Sequence, residues 1–184
     1  MFRKFLIVLA LSGLCNCAYA QRFALSTNAL DYANLGTLNA DFSYALSQHW
    51  SIGAGAKYNP FSYKNSEGDE FQNRQRSFAL GARWWPWHIW SGWWMAGKLQ
   101  YREYNSGGIK SQTTEEGDSY GGGLSLGYSY MLGTHINVEV GVGAWAGVRN
   151  YTVYACPTCG MTEDKGTKAF ILPNDLLLSV SYVF

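Results

Sequence analysis

Apolar and polar residues alternate along most of this 184-residue chain. The clearest stretch is INVEVGVGAWAGVR, Ile136 to Arg149, in which every second residue from Ile136 is apolar. The intervening positions carry Asn137, Glu139, Arg149, glycines and one tryptophan. Period-two alternation predicts a strand with one apolar face. Because average strands have roughly 5–6 residues, a strand of this length favours one that crosses a bilayer, with lipid outside and a polar lumen inside.

The same alternation recurs in six more segments and, less clearly, in a first segment near residues 22–30, which makes eight predicted strands. The connections between them alternate in length, and short turns facing longer loops are typical of outer-membrane barrels. The sequence therefore predicts an all-β fold, an eight-stranded antiparallel up-and-down transmembrane β-barrel. The six segments are 38–46, 50–58, 78–84, 93–102, 119–130 and 175–184. The predicted short turns are 47–49, 86–91 and 132–134, and the predicted longer loops are 60–72, 105–117 and 151–168.

Residues 1–20 have the features of a secretory signal peptide. Arg3 and Lys4 precede a short apolar run, and Ala18-Tyr19-Ala20 fits the small-x-small cleavage rule. The alternatives are a membrane anchor, which would need roughly 20 apolar residues, and a lipoprotein acylated near Cys15 or Cys17. The interpretation we favour divides the chain into a signal peptide, 1–20, and an outer-membrane β-barrel domain, 21–184. Eight strands place both termini in the periplasm, and the alternating apolar residues before Phe184 resemble the assembly signal of such barrels.

The net charge of the mature chain excludes one class of partner, nucleic acids. Removal of Arg3 and Lys4 leaves 12 basic and 13 acidic residues, a net charge of −1. A nucleic-acid partner would require a clear basic excess, so we expect none. The expected surroundings are outer-membrane lipid and lipopolysaccharide, with a surface-fibre or envelope protein as a further partner.

The segment RWWPWHIWSGWW, residues 83–94, contains six of the eight tryptophans of the chain. It spans a predicted periplasmic turn, with Trp84 and Trp93 on the lipid-facing parity of the flanking strands. Tryptophan favours the membrane–water interface, because its ring is apolar and its N–H requires a polar partner. The segment is thus predicted to form an aromatic girdle or, alternatively, a docking patch for a periplasmic or membrane partner. Its tryptophans are Trp84, Trp85, Trp87, Trp90, Trp93 and Trp94.

Eight ionisable residues fall on the inward parity of the predicted strands. An eight-stranded barrel is only wide enough for its own side chains to fill it, and isolated buried charges are costly. We therefore expect a network of ion pairs that plugs the lumen, the alternative being a narrow anion-selective channel. The residues are Asp41, Lys57, Arg83, Lys98, Arg102, Glu139, Arg149 and Asp175.

Neither catalysis nor a cofactor is expected. Some eight-stranded barrels edit lipid A at the outer leaflet, but His49, His88 and His135 fall in or beside predicted periplasmic turns. Cys156 and Cys159 lie in the longest predicted outer loop, and a structural zinc site would need four ligands. A disulfide is the expected state in an exported protein, with a free or reactive pair as the alternative. The acidic residues of the outer loops are expected to be solvated.

Several segments carry a family resemblance, in the order FALSTNAL, NLG, HWSIG, ALGARWW, YGGGLSLGYSY, YTVYACPTCG and LSVSYVF. They resemble an uncharacterised family of small outer-membrane barrels from Bacteroidota, a domain of unknown function. The resemblance implies an OmpA-like barrel without a peptidoglycan-binding domain, and it supplies no catalytic residues. Some members are encoded near fimbrial genes. The chain departs from the family at FILPND, residues 170–175, which leaves the start of the last strand open.

These patterns together favour a non-catalytic outer-membrane protein with a structural or interaction role, through the outer loops or the tryptophan-rich turn. The first alternative is an accessory to surface-fimbria assembly or adhesion. The second is a narrow pore or a lipid-editing enzyme.

Overall fold

The computed structural model describes residues 21–64, 70–108, 113–155 and 160–184. The predicted signal peptide, Cys156 and Cys159 lie outside these ranges. The elements are, in chain order, β1 (Phe23–Asn28), α1 (Ala29–Ala33), β2 (Leu38–Ala45), β3 (Trp50–Asn59), β4 (Ser62–Lys64), β5 (Glu70–Trp84), β6 (Gly92–Gly107), β7 (Thr114–Met131), β8 (Ile136–Tyr154) and β9 (Thr162–Val183). No helix in the described ranges has the length and apolar character needed to cross a bilayer.

The strands form a closed antiparallel barrel, which confirms the predicted fold class. Strands β5 to β9 pair in chain order, β9 pairs with β1, and β1 continues to β2 and β3. The pairing of β3 with β5 then closes the sheet. The three-residue β4 pairs only with the beginning of β5 and extends the wall locally. Eight strands therefore form the wall, and the sheet has no edge around the cylinder.

The two faces of the barrel wall have opposite polarity. Outward-facing side chains of β5, β6 and β7 are apolar and exposed, as Leu80, Leu99 and Leu124 show at 66%, 72% and 75%. Inward-facing positions carry buried serines and asparagines, such as Ser51 and Asn137. A protein surrounded by water would bury the leucines instead, and exposed apolar patches beyond a few hundred square ångströms indicate a contact surface.

The wall is much taller on one side than on the other. β1 and β2 have six and eight residues, whereas β8 and β9 have 19 and 22. The end with the three short turns, β2–β3, β5–β6 and β7–β8, is called the short-turn end below, and the opposite end is the long-strand end. At the long-strand end β5 to β9 rise well beyond the β1–β2 hairpin.

The prediction of three longer polar loops was wrong in its boundaries. β5 begins at Glu70, β6 reaches Gly107, β7 begins at Thr114, β8 reaches Tyr154 and β9 begins at Thr162. Many of the predicted loop residues therefore continue the strands. The outward face turns polar at a row that includes Arg76, Glu103 and Asp118. Apolar–polar alternation is lost beyond that row, although the backbone ladder goes on.

The first strand ends earlier than predicted, because Asn28 begins a helix. Its side-chain oxygen accepts a hydrogen bond from the Leu30 N–H at 3.2 Å, as a helix N-cap does. The same amide group also contacts β9. Its Nδ2 donates to the Leu176 carbonyl at 3.0 Å, and its Oδ1 accepts from the Leu178 N–H at 3.0 Å. Asn28 thus joins the start of α1 to the neighbouring strand.

The FILPND segment contains an irregularity in a continuous strand. Gly143 pairs with Asp175 and Trp145 pairs with Leu172, so β9 has one more residue than β8 between these pairs. Pro173 lies within this bulge. Proline cannot donate to a ladder and is accommodated at bulges and edges. The last strand therefore begins at Thr162. The bulge shifts the inward-facing positions of β9 by one residue, so the alternation before Pro173 is out of phase with the alternation after it.

Candidate functional site in the barrel interior

The inner surface collects the charged residues that alternation assigned to the lumen. Asp41, Lys57, Arg83 and Lys98 line one cavity, and Glu139 is buried nearby. Arg102 and Arg149 follow further toward the long-strand end. Asp175 lies in β9 opposite Gly143, but its side chain is outside the described part of the structure.

Arg83 and Glu139 form an ion pair that connects opposite parts of the wall. Arg83 Nη1 on β5 lies 2.8 Å from Glu139 Oε2 on β8. Glu139 is 2% exposed, and the Ser181 hydroxyl donates to its other oxygen at 3.4 Å. The guanidinium carbon of Arg83 also lies 4.6 Å from the centre of the Trp94 ring. The pair is therefore held by a hydroxyl on one side and an aromatic face on the other.

A second ion pair fixes the short helix at the long-strand end. Lys57 Nζ lies 2.8 Å from Asp31 Oδ2, and Asp31 belongs to α1. Asn28 Nδ2 also donates to this carboxylate at 3.2 Å. Asp31 lies just beyond the first predicted strand and was not among the charges assigned to the lumen, so its part in the network was missed. An Asn followed three residues later by an acid is similar to a capping box, and that spacing was the available signal.

Between these two pairs the lumen holds a cavity of about 110 Å³. Its lining includes Asp41, Lys98 and Gln100 in addition to Asp31, Lys57 and Arg83. A buried water occupies roughly 10–15 Å³ on this measure and needs polar partners. The cavity is therefore suited to a small group of waters or a small polar molecule.

Three tryptophans are buried at the short-turn end of the lumen, and one of them, Trp94, lines the cavity. Trp85, Trp90 and Trp94 are 0%, 3% and 1% exposed. The Trp85 and Trp90 rings contact edge to face, with centroids 5.8 Å apart. Trp85 Nε1 donates to the Ser51 hydroxyl at 3.1 Å, and Trp90 Nε1 donates to the Gln21 carbonyl at 2.8 Å. These residues are called the tryptophan plug below.

The plug corrects the prediction that all six clustered tryptophans form a girdle or docking patch. Trp85 and Trp94 directly adjoin Trp84 and Trp93, and adjacent residues of a strand face opposite sides of the wall. Trp85 and Trp94 therefore point inward. Trp90 is held in the turn by hydrogen bonds that Ser129 and Asn137 donate to its carbonyl. Trp84 and Trp93 face outward, at 40% and 52% exposure, and Trp87 is exposed in the turn.

Glycines on the inner face make room for the Trp94 ring. An added Cβ at Gly141 would lie 3.0 Å from ring atoms of Trp94, and one at Gly127 would collide with the same ring. A Cβ at Gly92 would lie 2.8 Å from the Trp87 ring, and Gly92 has a φ of +77°. Gly127 and Gly141 therefore make room for the Trp94 ring, and Gly92 makes room for the Trp87 ring.

A third polar group lies at the long-strand end and includes acids that were predicted to be solvated. Glu115 faces inward from β7, where Arg149 Nη1 lies 3.3 Å from Oε1 and the Tyr104 hydroxyl donates to the same oxygen at 2.6 Å. Burial, and then the hydrogen bond to Glu115, raise the pKa of Tyr104. On the outer face of the same strands, the hydrogen bond that Tyr154 donates to Glu116 at 2.7 Å raises the pKa of Tyr154.

The three histidines have structural contacts at the short-turn end. His49 Nδ1 lies 2.9 Å from the Trp85 carbonyl, and His135 Nδ1 lies 2.8 Å from the Val183 carbonyl. His88 Nδ1 lies 3.0 Å from the Ile89 carbonyl. Within the described ranges, no three histidine, cysteine, aspartate or glutamate side chains are grouped so that they would hold a metal ion.

Comparison with known proteins identifies the family. The profile of the family described as "Protein of unknown function (DUF3575)" matches residues 5–184. The chain belongs to DUF3575. This agrees with the predicted domain-of-unknown-function family. A search of the curated proteins found no match.

One similar solved structure is that of the outer membrane protein OprG from Pseudomonas aeruginosa. The sequences are 20% identical, the match covers 89% of this chain and 92% of that chain, and the TM-score is 0.50. At this identity the likeness of the DUF3575 chain to OprG concerns the fold alone.

Proposed function

We propose that this DUF3575 protein is a non-catalytic outer-membrane barrel that serves as a structural or interaction protein. The observation that carries the proposal is the exposed apolar band around a closed barrel with a polar interior. The band is bordered at the short-turn end by outward-facing Trp84 and Trp93, and at the other end by Tyr101 and Tyr120. Aromatic rings at both borders suit the two interfaces of a bilayer.

In this proposal the short-turn end and both chain termini face the periplasm. Outer-membrane barrels have short periplasmic turns and larger structures outside, and the height difference between the two ends of this wall fits that direction. The tall polar part of β5 to β9 would then lie among the headgroups and sugars of lipopolysaccharide.

Two surfaces are available for a protein partner. One is the outward polar face of the tall wall, where Arg74 and Lys165 are exposed. The other is the short-turn end, where Leu46, Trp87 and Leu132, one from each short turn, are 58%, 67% and 63% exposed. The tall wall favours a second candidate role, as an accessory to surface-fibre assembly or adhesion, because it projects furthest from the band.

Membrane fractionation tests the location, and co-purification tests the role. The folded chain should be recovered with outer membranes and should change its gel mobility on heating. A tagged chain should then be purified from native membranes beside Trp87→Ala and the double variant Arg74→Glu, Lys165→Glu. Loss of a partner only from the double variant supports the tall wall, and loss only from Trp87→Ala supports the short-turn end. Recovery of the wild type as a soluble periplasmic protein contradicts the proposal.

A disulfide between Cys156 and Cys159 stays a prediction. Thiol titration of the unfolded mature chain, with and without a reductant, should find two additional thiols only after reduction.

A further inference from the structure

Strand register places several basic residues in one row on the inner face of the long-strand end. In this row, one serine lies between Lys57 and Arg102 and another between Arg102 and Arg149, whereas Arg149 and Lys168 are direct neighbours. The row, read across adjacent strands, is Lys57, Ser77, Arg102, Ser119, Arg149 and Lys168. All the members share one parity, so they face the same interior.

Most of these cations have a partner. Lys57 pairs with Asp31 at 2.8 Å, and Arg149 lies 3.3 Å from Glu115. Lys168 Nζ lies 4.2 Å from the centre of the Tyr151 ring. Arg102 differs, because its guanidinium carbon lies over the Tyr104 ring at 5.5 Å and no carboxylate of the described residues pairs with it.

The two arginines also have unused hydrogen-bond donors. Arg102 Nε and Arg149 Nε are buried, and neither has an acceptor among the described residues. A buried donor without an acceptor costs free energy, more so when the group is charged. Of the two guanidinium groups, that of Arg149 pairs with Glu115 and that of Arg102 pairs with no carboxylate of the described residues, so the local charge is incompletely compensated.

Strand register places Arg102 and Arg149 on either side of one inward-facing serine. Both arginines are register partners of Ser119, which is 4% exposed and lies on the strand between theirs. Adjacent strands are about 4.8 Å apart, so the two backbones are separated by roughly twice that distance. The next inward-facing positions on β7 and β8 are Gly121 and Gly147, which have no side chains to occupy the interior beside the two arginines. Planar guanidinium groups bind carboxylate and phosphate oxygens in pairs.

We propose that Arg102 and Arg149 form a binding site for a small dissolved oxyanion, a carboxylate or a phosphate. The anion supplies acceptors to the two Nε groups and balances the unpaired charge of Arg102. Glu115 positions Arg149 through its ion pair. Because both side chains face the interior, the anion enters from the long-strand end and not from the bilayer. This site is independent of the structural or interaction role proposed above.

Isothermal titration calorimetry tests the site on the full mature chain, refolded in zwitterionic detergent micelles. Inorganic phosphate and acetate are titrated separately, with sodium chloride of equal ionic strength as the reference. The variants are Arg102→Gln and Arg102→Lys, and the second keeps the charge but removes the Nε donor. Arg76→Gln is the matched control, since Arg76 is an arginine on the outer face that lies 3.7 Å from Glu103.

Binding of at least one of the two anions is expected in the wild type. Arg102→Gln should weaken it about tenfold or more, as the loss of a charged hydrogen bond implies. Arg102→Lys should weaken it by a smaller factor, and Arg76→Gln should leave it within about twofold. Heat-dependent gel mobility shows which variants are folded. If both Arg102 variants fail to fold, the wild-type titration and the Arg76→Gln control still decide.

Three results would overturn the proposal. The first is wild-type protein that binds neither phosphate nor acetate above the chloride reference. The second is equal weakening by Arg76→Gln, which would indicate general electrostatic attraction. The third comes from a parallel measurement in micelles that contain phosphatidylglycerol. Binding that is seen only with those micelles, with no response to dissolved phosphate, would mean that the anion is a lipid headgroup.

Discussion

At the scale of single residues, Glu139 is the buried carboxylate on which the inner network depends. Removal of one partner of a buried ion pair leaves an uncompensated charge, which costs about 3–5 kcal/mol. Glu139→Gln should therefore lower the free energy of unfolding in urea by about 3 kcal/mol, measured in micelles. Glu103→Gln is the control, because its pair with Arg76 is 44% and 57% exposed and such pairs contribute less than about 1 kcal/mol. Similar losses in both variants would show that burial does not matter here.

Trp90 and Trp87 provide a second comparison, within one turn. Trp90 is buried and Trp87 is exposed. Trp90→Ala should lower the free energy of unfolding by about 3–5 kcal/mol, because a buried ring leaves a cavity. Trp87→Ala should change it by less than about 1 kcal/mol, as surface substitutions do. Urea unfolding followed by far-UV circular dichroism checks the order, and equal effects would contradict the plug.

Tyr104 predicts a dependence of stability on alkaline pH. Its pKa in the folded state lies above the ordinary value of about 10, so the folded state retains a proton that the unfolded state loses. This contribution to stability is complete below pH 10 and declines as the pH rises above it. Tyr104→Phe should reduce the decline. Phenolate absorbance should show one fewer ionising group in urea, but no change between pH 10 and 11 in the folded protein.

For individual side chains, alternation in the sequence predicts which face of the barrel wall each one occupies. Alternation alone assigns Lys57, Arg83 and Glu139 to the interior, and the same rule assigns Trp94 to it. It does not indicate which charges pair, because Arg83 and Glu139 come from strands that are not neighbours. The burial of Trp90 could not be predicted from the sequence, since it depends on hydrogen bonds from β7 and β8 to the Trp90 carbonyl.

At the scale of the elements, β7 and β8 approach each other closely through glycines. A Cβ at Gly121 would collide with the Ala146 carbonyl, and a Cβ at Gly147 would collide with the Tyr120 carbonyl. Gly121→Ala should therefore destabilise the barrel by about 1–3 kcal/mol, as overpacking does. Gly133→Ala is the matched control, because a Cβ there meets nothing within 4 Å. Equal urea midpoints for the two variants would contradict the close approach.

The centres of the strands were predictable and their outer ends were not. A bilayer requires apolar residues on the outer face, so apolar–polar alternation in the sequence indicates the part of each strand that crosses the bilayer. Above Glu103 and Asp118 both faces are polar, and the chain is kept extended by backbone pairing together with cross-strand side-chain hydrogen bonds such as that from Tyr154 to Glu116. Helix α1 was missed for a related reason, since five residues held by the Asn28 cap and the Asp31–Lys57 pair have no periodic pattern.

At the scale of the whole molecule, the plug and the ion pairs predict a barrel that does not conduct. The tryptophan plug fills the short-turn end, and Arg83 with Glu139 lies directly above it. Purified wild-type protein should be nearly silent in planar bilayers. The double variant Trp85→Ala, Trp94→Ala should give small current steps if it folds, because the aromatic closure is removed. Large, stable steps from the wild type would contradict the closed lumen.

The joint between β1 and β9 has a consequence for how the barrel is made. Five residue pairs, from Ala24–Val183 to Asn28–Ser179, join the first and last strands, and the Asn28 amide adds the contacts to Leu176 and Leu178. These partners are more than 145 residues apart in the chain. Bringing together such distant segments costs loop-closure entropy before any contact forms. The sheet from β1 to β9 can therefore grow by the pairing of strands that are close in the chain, but the cylinder closes in one late event, the pairing of β9 with β1. Until that event, two unpaired strand edges are open to any other extended chain.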